Sequence, residues 1–136
     1  ATNITYGHNN RSAQFRLPQN RYCIENRAAD MTMNVYLAFS MTLSAAVEGI
    51  KNKIHPGKPT DQDLYNMTDR EFKKLGIKRL PRNLLMALEA LKNDKLSDEV
   101  IGTVMKKSLL EYKNDEWERY HQAVTDWEVK EYLRLY

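Results

Sequence analysis

A chain of 136 residues that is 42% hydrophobic fits one domain with one modest core, and a free-standing second domain is not expected. Its 21 lysines and arginines against 18 acids leave a net charge of +3, spread along the sequence instead of gathered in a tail, so nucleic acid is not expected as a partner. A single cysteine, Cys23, excludes an intrachain disulfide, and no apolar run approaches the ~20 residues of a membrane span, so a cytoplasmic protein with no membrane association is expected. The chain opens with Ala1-Thr2-Asn3, without a basic and apolar leader or an initiator Met, which predicts a processed or excised start and a longer parent.

Phe15 and Leu17, then Tyr22 and Ile24, recur at period two on either side of Pro18-Gln19-Asn20 and predict a hairpin of two short antiparallel strands. From Asn34 the period becomes helical. Tyr36, Leu37, Phe39, Met41, Leu43, Val47 and Ile50 are apolar nearly all round, which predicts a buried helix ending near Gly49 within residues 34–54. Residues 55–67 hold two prolines and a glycine and read as a loop. Thr68-x-x-Glu71 is the pattern of a capping box for a short helix through Leu75, stopped at Gly76. Asn83 can cap a helix whose Leu84, Leu88 and Leu91 share a face, and Ser97 a longer one continuing through Met105, Leu109 and Tyr112. Thr125-x-x-Glu128 restarts a turn before Tyr132 and Tyr136. The fold class is α+β: a short strand pair, then a mostly helical region over residues 68–136. Two strands alone are marginal in water, so they are expected to join a larger sheet from other segments or subunits.

The strands carry an unusual charge pattern. Residues 9–30 hold four arginines, Arg11, Arg16, Arg21 and Arg27, around a single glutamate, Glu25. In an extended strand Glu25 and Arg27 share a face about 7 Å apart, whereas Arg11 and Arg16, five apart, point to opposite faces unless a bulge or strand end intervenes. Guanidiniums form bidentate, charge-assisted hydrogen bonds to phosphate and carboxylate, and a glutamate among them can bind Mg²⁺. Those residue types together suit phosphoryl transfer; the alternative is a set of ion pairs on a solvated sheet face.

The stretches "YGHNNRSAQFRLP", "IENRAAD", "NVYLAF" and "EGIKNKIHPGKPTDQDLY" resemble, in order and spacing, the C-terminal part of the glutamine synthetase superfamily. The resemblance is close over residues 6–67 and looser beyond. It implies a segment of that family's catalytic domain, with active-site strands in residues 1–30, and an ATP-dependent ligation. Glutamate's γ-carboxylate is phosphorylated, and ammonia or a small amine displaces phosphate from the γ-glutamyl phosphate. It further implies that Arg11 contacts glutamate and the transferring phosphoryl group and that Arg16 binds ATP phosphates. Arg27 would hold glutamate's carboxylate or the developing charge, and Glu25 would ligate a catalytic Mg²⁺ or Mn²⁺. The implied parent is a homo-oligomer, a ring assembly, and the isolated segment is expected to be inactive.

The chain departs from the family pattern at Cys23, where the family's RRIE has arginine, and in "RAADMTMNVY". Its closing "WERYHQAVTDWEVKEYL" is more similar to branches such as γ-glutamylmethylamide synthetase and the type III-like glutamine synthetases. Tyr65 sits where some bacterial members of the family are modified, but its flanks differ and it reads as a loop-packing residue. His8, His55 and His121 are scattered and read as surface residues, Cys23 as a packing residue, and the Trp117, Tyr120, Val124 and Trp127 stripe as core or subunit contact. Lys51, Lys53 and Lys58 fall in the family's turn between helix and loop and need no nucleic acid to explain them. Besides the ligase, two classes stay open: a non-catalytic descendant kept for assembly, and a small basic helical binding module.

Overall fold

The computed structural model describes residues 3–133 and 135. Tyr136, placed by the sequence pattern in the closing turn, lies outside the described residues, as do Ala1 and Thr2 at the other end. Two compact units divide the chain after Arg82.

The first unit is built on a four-stranded mixed sheet in the order β3-β2-β1-β4, with β1 at Asn3–His8, β2 at Ala13–Leu17, β3 at Glu25–Asn26 and β4 at Lys78–Arg79. The expected antiparallel pair is present as β2 and β3, with Arg16 opposite Glu25 and Phe15 opposite Asn26. Its connection runs through residues 18–24 and leaves Tyr22 and Ile24 exposed outside any strand. The larger sheet comes from within this chain: β4 pairs antiparallel to β1, and β1 lies parallel to β2 with Asn3 opposite Ala13 and His8 opposite Leu17.

Parallel neighbours ordinarily need a crossover of a dozen or more residues. Here residues 9–12 suffice. Asn9 takes left-handed backbone, φ 55, and its N–H donates to the Leu17 carbonyl at 2.9 Å. The chain then doubles back so that the Ser12 carbonyl accepts from Asn3 Nδ2 at 3.1 Å. The buried Asn10 holds this reversal with its whole amide. Its Nδ2 donates to the carbonyls of Thr60, 2.7 Å, and Gln62, 2.9 Å, and its Oδ1 accepts from Ser12 N, 2.8 Å, and Ser12 Oγ, 2.6 Å. Ser12 Oγ in turn accepts from Leu64 N at 3.0 Å. The loop over residues 57–64 therefore lies flat on β1, and Thr60 N donates to the Tyr6 carbonyl at 2.8 Å. Gly7 makes this approach possible, because a Cβ there would stand 2.2 Å from the Thr60 carbonyl oxygen. Ala13, Pro18, Leu64 and Phe72 are the buried apolar side chains of this unit among those described.

Helix α1, Val35–Lys51, starts where expected, with Asn34 Oδ1 accepting from Leu37 N. It ends at Lys51, two residues past Gly49 and inside the expected 34–54, but it is not buried. None of its residues is, and Phe39, Leu43, Val47 and Ile50 stand exposed. An apolar pattern records that a helix needs cover but not that its own chain supplies it. Helix α2, Asp69–Leu75, has the capping box at Thr68 and Glu71 and ends at Gly76 with φ 67.

In the second unit α3, Leu84–Asn93, is capped by Asn83, and Leu88 is buried on the expected face. The next cap is Asp94 in place of Ser97: its carboxylate accepts from Ser97 N at 2.7 Å and starts a short α4, Lys95–Val100. Gly102, at φ 78, separates α4 from α5, Thr103–Gln122. The α5 stripe is shifted, since Met105 and Tyr112 are exposed while Lys106 is buried, donating to the Asp94 carbonyl at 2.7 Å and pairing with Asp98 at 3.0 Å. Helix α6, Asp126–Tyr132, has the capping box at Thr125 and Glu128. Tyr120, Val124 and Trp127, expected as core or subunit contact, are exposed.

Asn10→Ala strips partners from two carbonyls and the Ser12 N–H and should destabilise the protein by about 2–4 kcal/mol in denaturant titration. Asn10→Asp should cost at least as much, because its second oxygen would face the Thr60 and Gln62 carbonyls. A loss under about 0.5 kcal/mol for both would mean that the amide is not what holds the turn.

Candidate functional site

Four stretches of the chain meet where β2 and β3 pair: the turn at 9–12, β2, the segment from Arg21 to Arg27, and the loop end at Tyr65. Because Arg16 and Glu25 are cross-strand partners, their side chains start opposite each other on one face. Arg16 Nη1 donates to both Glu25 oxygens at 3.0 Å, and its Nη2 donates to Asn9 Oδ1. Arg16 Nε is buried and has no acceptor among the described residues. Arg21 Nη2 donates to Glu25 Oε1, and Arg27 Nη1 stands 3.7 Å from Glu25 Oε2. Glu25 is thus the common counter-charge of three guanidiniums, and its nearest partners are Arg16 and Arg21 with Arg27 farther off.

Arg11 resolves the parity problem of the sequence. It lies in the turn at 9–12, before β2 begins, so the strand alternation does not constrain it. Its side chain is exposed and makes no ion pair among the described residues. Its carbonyl is a junction that accepts from Arg27 Nε at 3.1 Å and from Tyr65 Oη at 3.2 Å. Tyr65, expected to pack within the loop, is exposed and tethers the loop end to the arginine-bearing turn. Cys23, expected as a packing residue, is exposed in the connection between strands.

Sequence reasoning missed Asn9, Asn10 and His8. His8 is exposed as expected, yet its N–H donates to Asp61 Oδ1 at 2.6 Å and its Nδ1 lies 3.2 Å from Asp61 Oδ2, pinning the loop from the other side. The available signal was a pair of asparagines before an arginine, which marks a left-handed turn with an amide free to bond.

The hydrogen bonds from Arg16 are the chief cause that holds the Glu25 carboxyl below its ordinary value of 4.5; partial burial opposes them, and Arg21 adds to the lowering. Glu25 therefore stays ionised and the cluster keeps a surplus of positive charge. Such a group supports stability above the ordinary carboxylate range, and that support is lost as pH falls through the depressed value. Melting temperatures of the wild type and Glu25→Gln should differ by a constant amount above about pH 5 and converge below it. A gap that stays constant down to about pH 2 would mean that the ionised Glu25 does not hold these arginines.

Chemically the arrangement can bind anions, with preorganised guanidinium forks beside one hard carboxylate oxygen pair. Among the described residues no three His, Cys, Asp or Glu side chains converge, and no helix is long and apolar enough to cross a membrane.

Residues 1–132 match the family model of the glutamine synthetase catalytic domain, and the chain belongs to that family. It is 38% identical over 136 residues to the glutamine synthetase of Methanococcus maripaludis, covering 98% of this chain and 30% of that protein. It is also 38% identical over 133 residues to the glutamate–methylamine ligase of Methyloversatilis universalis, covering 98% of this chain and 29% of that one. The solved structure of the GmaS/ADP complex, conformation 1, matches with a TM-score of 0.84 at 32% identity, over 98% of this chain and 30% of that chain. The chain therefore spans about 30% of the length of the relatives it matches.

Proposed function

We propose that this chain supplies the phosphate- and carboxylate-handling arginines and one metal ligand of an ATP-dependent glutamate–ammonia or glutamate–amine ligase that works through γ-glutamyl phosphate. The observation that carries the reading is the convergence of Arg16, Arg21 and Arg27 on Glu25 in a chain of this family. In this reading Arg16, with a buried Nε that has no acceptor among the described residues, binds ATP phosphates. The exposed Arg11 guanidinium meets glutamate and the transferring phosphoryl group, and Arg27 holds glutamate's carboxylate or the charge that develops there. Family membership alongside both a glutamine synthetase and a methylamine ligase supports ammonia or a small amine as the acceptor. The uncovered apolar side chains of α1 support assembly with further protein surface, a cytoplasmic ring of identical subunits in our reading.

Glu25 offers hard oxygens suited to Mg²⁺ or Mn²⁺, and both are engaged by arginines. The donor fits a divalent cation provided that Arg21 and Arg27, the more exposed of the three, turn toward the phosphates as the cation arrives. Glu25 would be one ligand, the others coming from outside this chain. A bound divalent ion supplies neutralisation of phosphate charge during transfer.

The 136 residues alone are expected to form no ADP. In the complete protein Arg27→Lys keeps the charge but loses the fork, and turnover of ATP, glutamate and amine should fall by ~100-fold or more, with Arg21→Ala costing much less. Equal, small effects at both would favour a non-catalytic descendant kept for assembly. Glu25→Gln should leave the protein folded, raise the metal concentration needed for half-maximal activity and abolish most ADP formation. An unchanged metal midpoint would remove Glu25 from the site, the lower melting temperature of the variant being expected from the lost ion pairs alone.

A further inference from the structure

Asn9 opens the turn that precedes β2, in left-handed backbone at φ 55. Asn, Asp and Gly tolerate that conformation best. A glycine would serve the backbone equally well, so the turn alone does not account for an asparagine. The side chain does. Asn9 Oδ1 accepts from Arg16 Nη2 while Arg16 Nη1 spans the two Glu25 oxygens, so the guanidinium plane is held at both terminal nitrogens by different residues. The Asn9 N–H is tied to the Leu17 carbonyl, one residue beyond Arg16, which fixes the acceptor to the strand that carries the guanidinium. The Arg16 side chain is only 16% exposed, and its Nε is buried without an acceptor among the described residues.

We propose that Asn9 is a positioning residue that presents the Arg16 fork to a phosphate group already oriented. The inference rests on reading the arginine cluster as the phosphate-handling part of the ligase. When Nη1 is shared between Glu25 and an incoming phosphate, the bond from Asn9 keeps the plane from rotating. Neutrality of the acceptor matters. A carboxylate in the same place would hold Arg16 at least as firmly, but it would cancel its charge and repel the phosphate.

Two substitutions separate backbone from side chain in the complete protein. Asn9→Gly keeps the left-handed turn and removes the acceptor; Asn9→Asp keeps turn and acceptor and adds charge. The probe is inorganic tripolyphosphate, followed by calorimetry, with KM for ATP and kcat measured separately. Asn9→Gly should weaken tripolyphosphate binding and raise KM for ATP by about 3–10-fold, with kcat changed less and the melting temperature unchanged. Asn9→Asp should weaken tripolyphosphate binding as well, with no loss of melting temperature. In an Arg16→Lys background Asn9→Gly should have no further effect, because the residue acts through the guanidinium. An unchanged affinity in Asn9→Gly, an additive effect on top of Arg16→Lys, or a wild type that does not bind tripolyphosphate would overturn the proposal. A wild type that binds tripolyphosphate but forms no ADP would instead refute the ligase reading, and the double-mutant comparison on tripolyphosphate would still decide the role of Asn9.

Discussion

The amide of Asn10 is the interaction on which the first unit depends. One side chain, buried between a turn and a loop 50 residues away, uses both donors and its acceptor on main-chain and hydroxyl groups of Ser12, Thr60 and Gln62. Few apolar residues are buried around it, so the polar hub performs the joining that a larger hydrophobic core would otherwise perform. The placing of Arg11 and Tyr65 at the site follows from it. The reversal at 9–12 lets β1 and β2 lie parallel, lifts Arg11 off the strand, and brings Tyr65 over the Arg11 carbonyl.

Glu25 has a double character in this setting. Its charge keeps three guanidiniums from repelling one another and prevents them from dispersing into solvent, which is a preorganising role. The same charge would compete with an anion for those arginines, so the cluster is poised between self-satisfaction and ligand binding. Partners of differing exposure resolve the conflict: Arg16 is the least exposed and held by Asn9 as well, while Arg21 is the most exposed and the freest to leave.

The meeting of arginines at Glu25 was legible as a pattern because four arginines surround one glutamate within residues 9–30, and four ordered motifs pointed to the family that residues 1–132 match. The caps at Thr68, Asn83 and Thr125 were legible because a cap is local chemistry. Strand β1 was not, for a physical reason: its buried positions are Asn3 and Gly7, so it has no apolar alternation to detect. Strand β4 is two residues long, below any period. Asp94 and Ser97 both offer a cap three residues apart, and Gly102, not propensity, decides where the long helix begins. The exposure of α1 was illegible in principle, since a sequence states the need for a covering surface and not its source.

The parallel pair joined by so short a turn also bears on the order in which the chain can assemble. The β1 and β2 contacts are local, but the turn between them is satisfied only after residues 60–64 return from the far side of α1. Closing so long a loop has an entropic cost that early local contacts do not offset. Helix α1 shortens the journey, because its 17 residues span about 26 Å as a helix and more than twice that when extended. An apolar helix with no fully buried residue thus serves its own chain as a spacer, carrying residues 60–64 back toward the turn they complete.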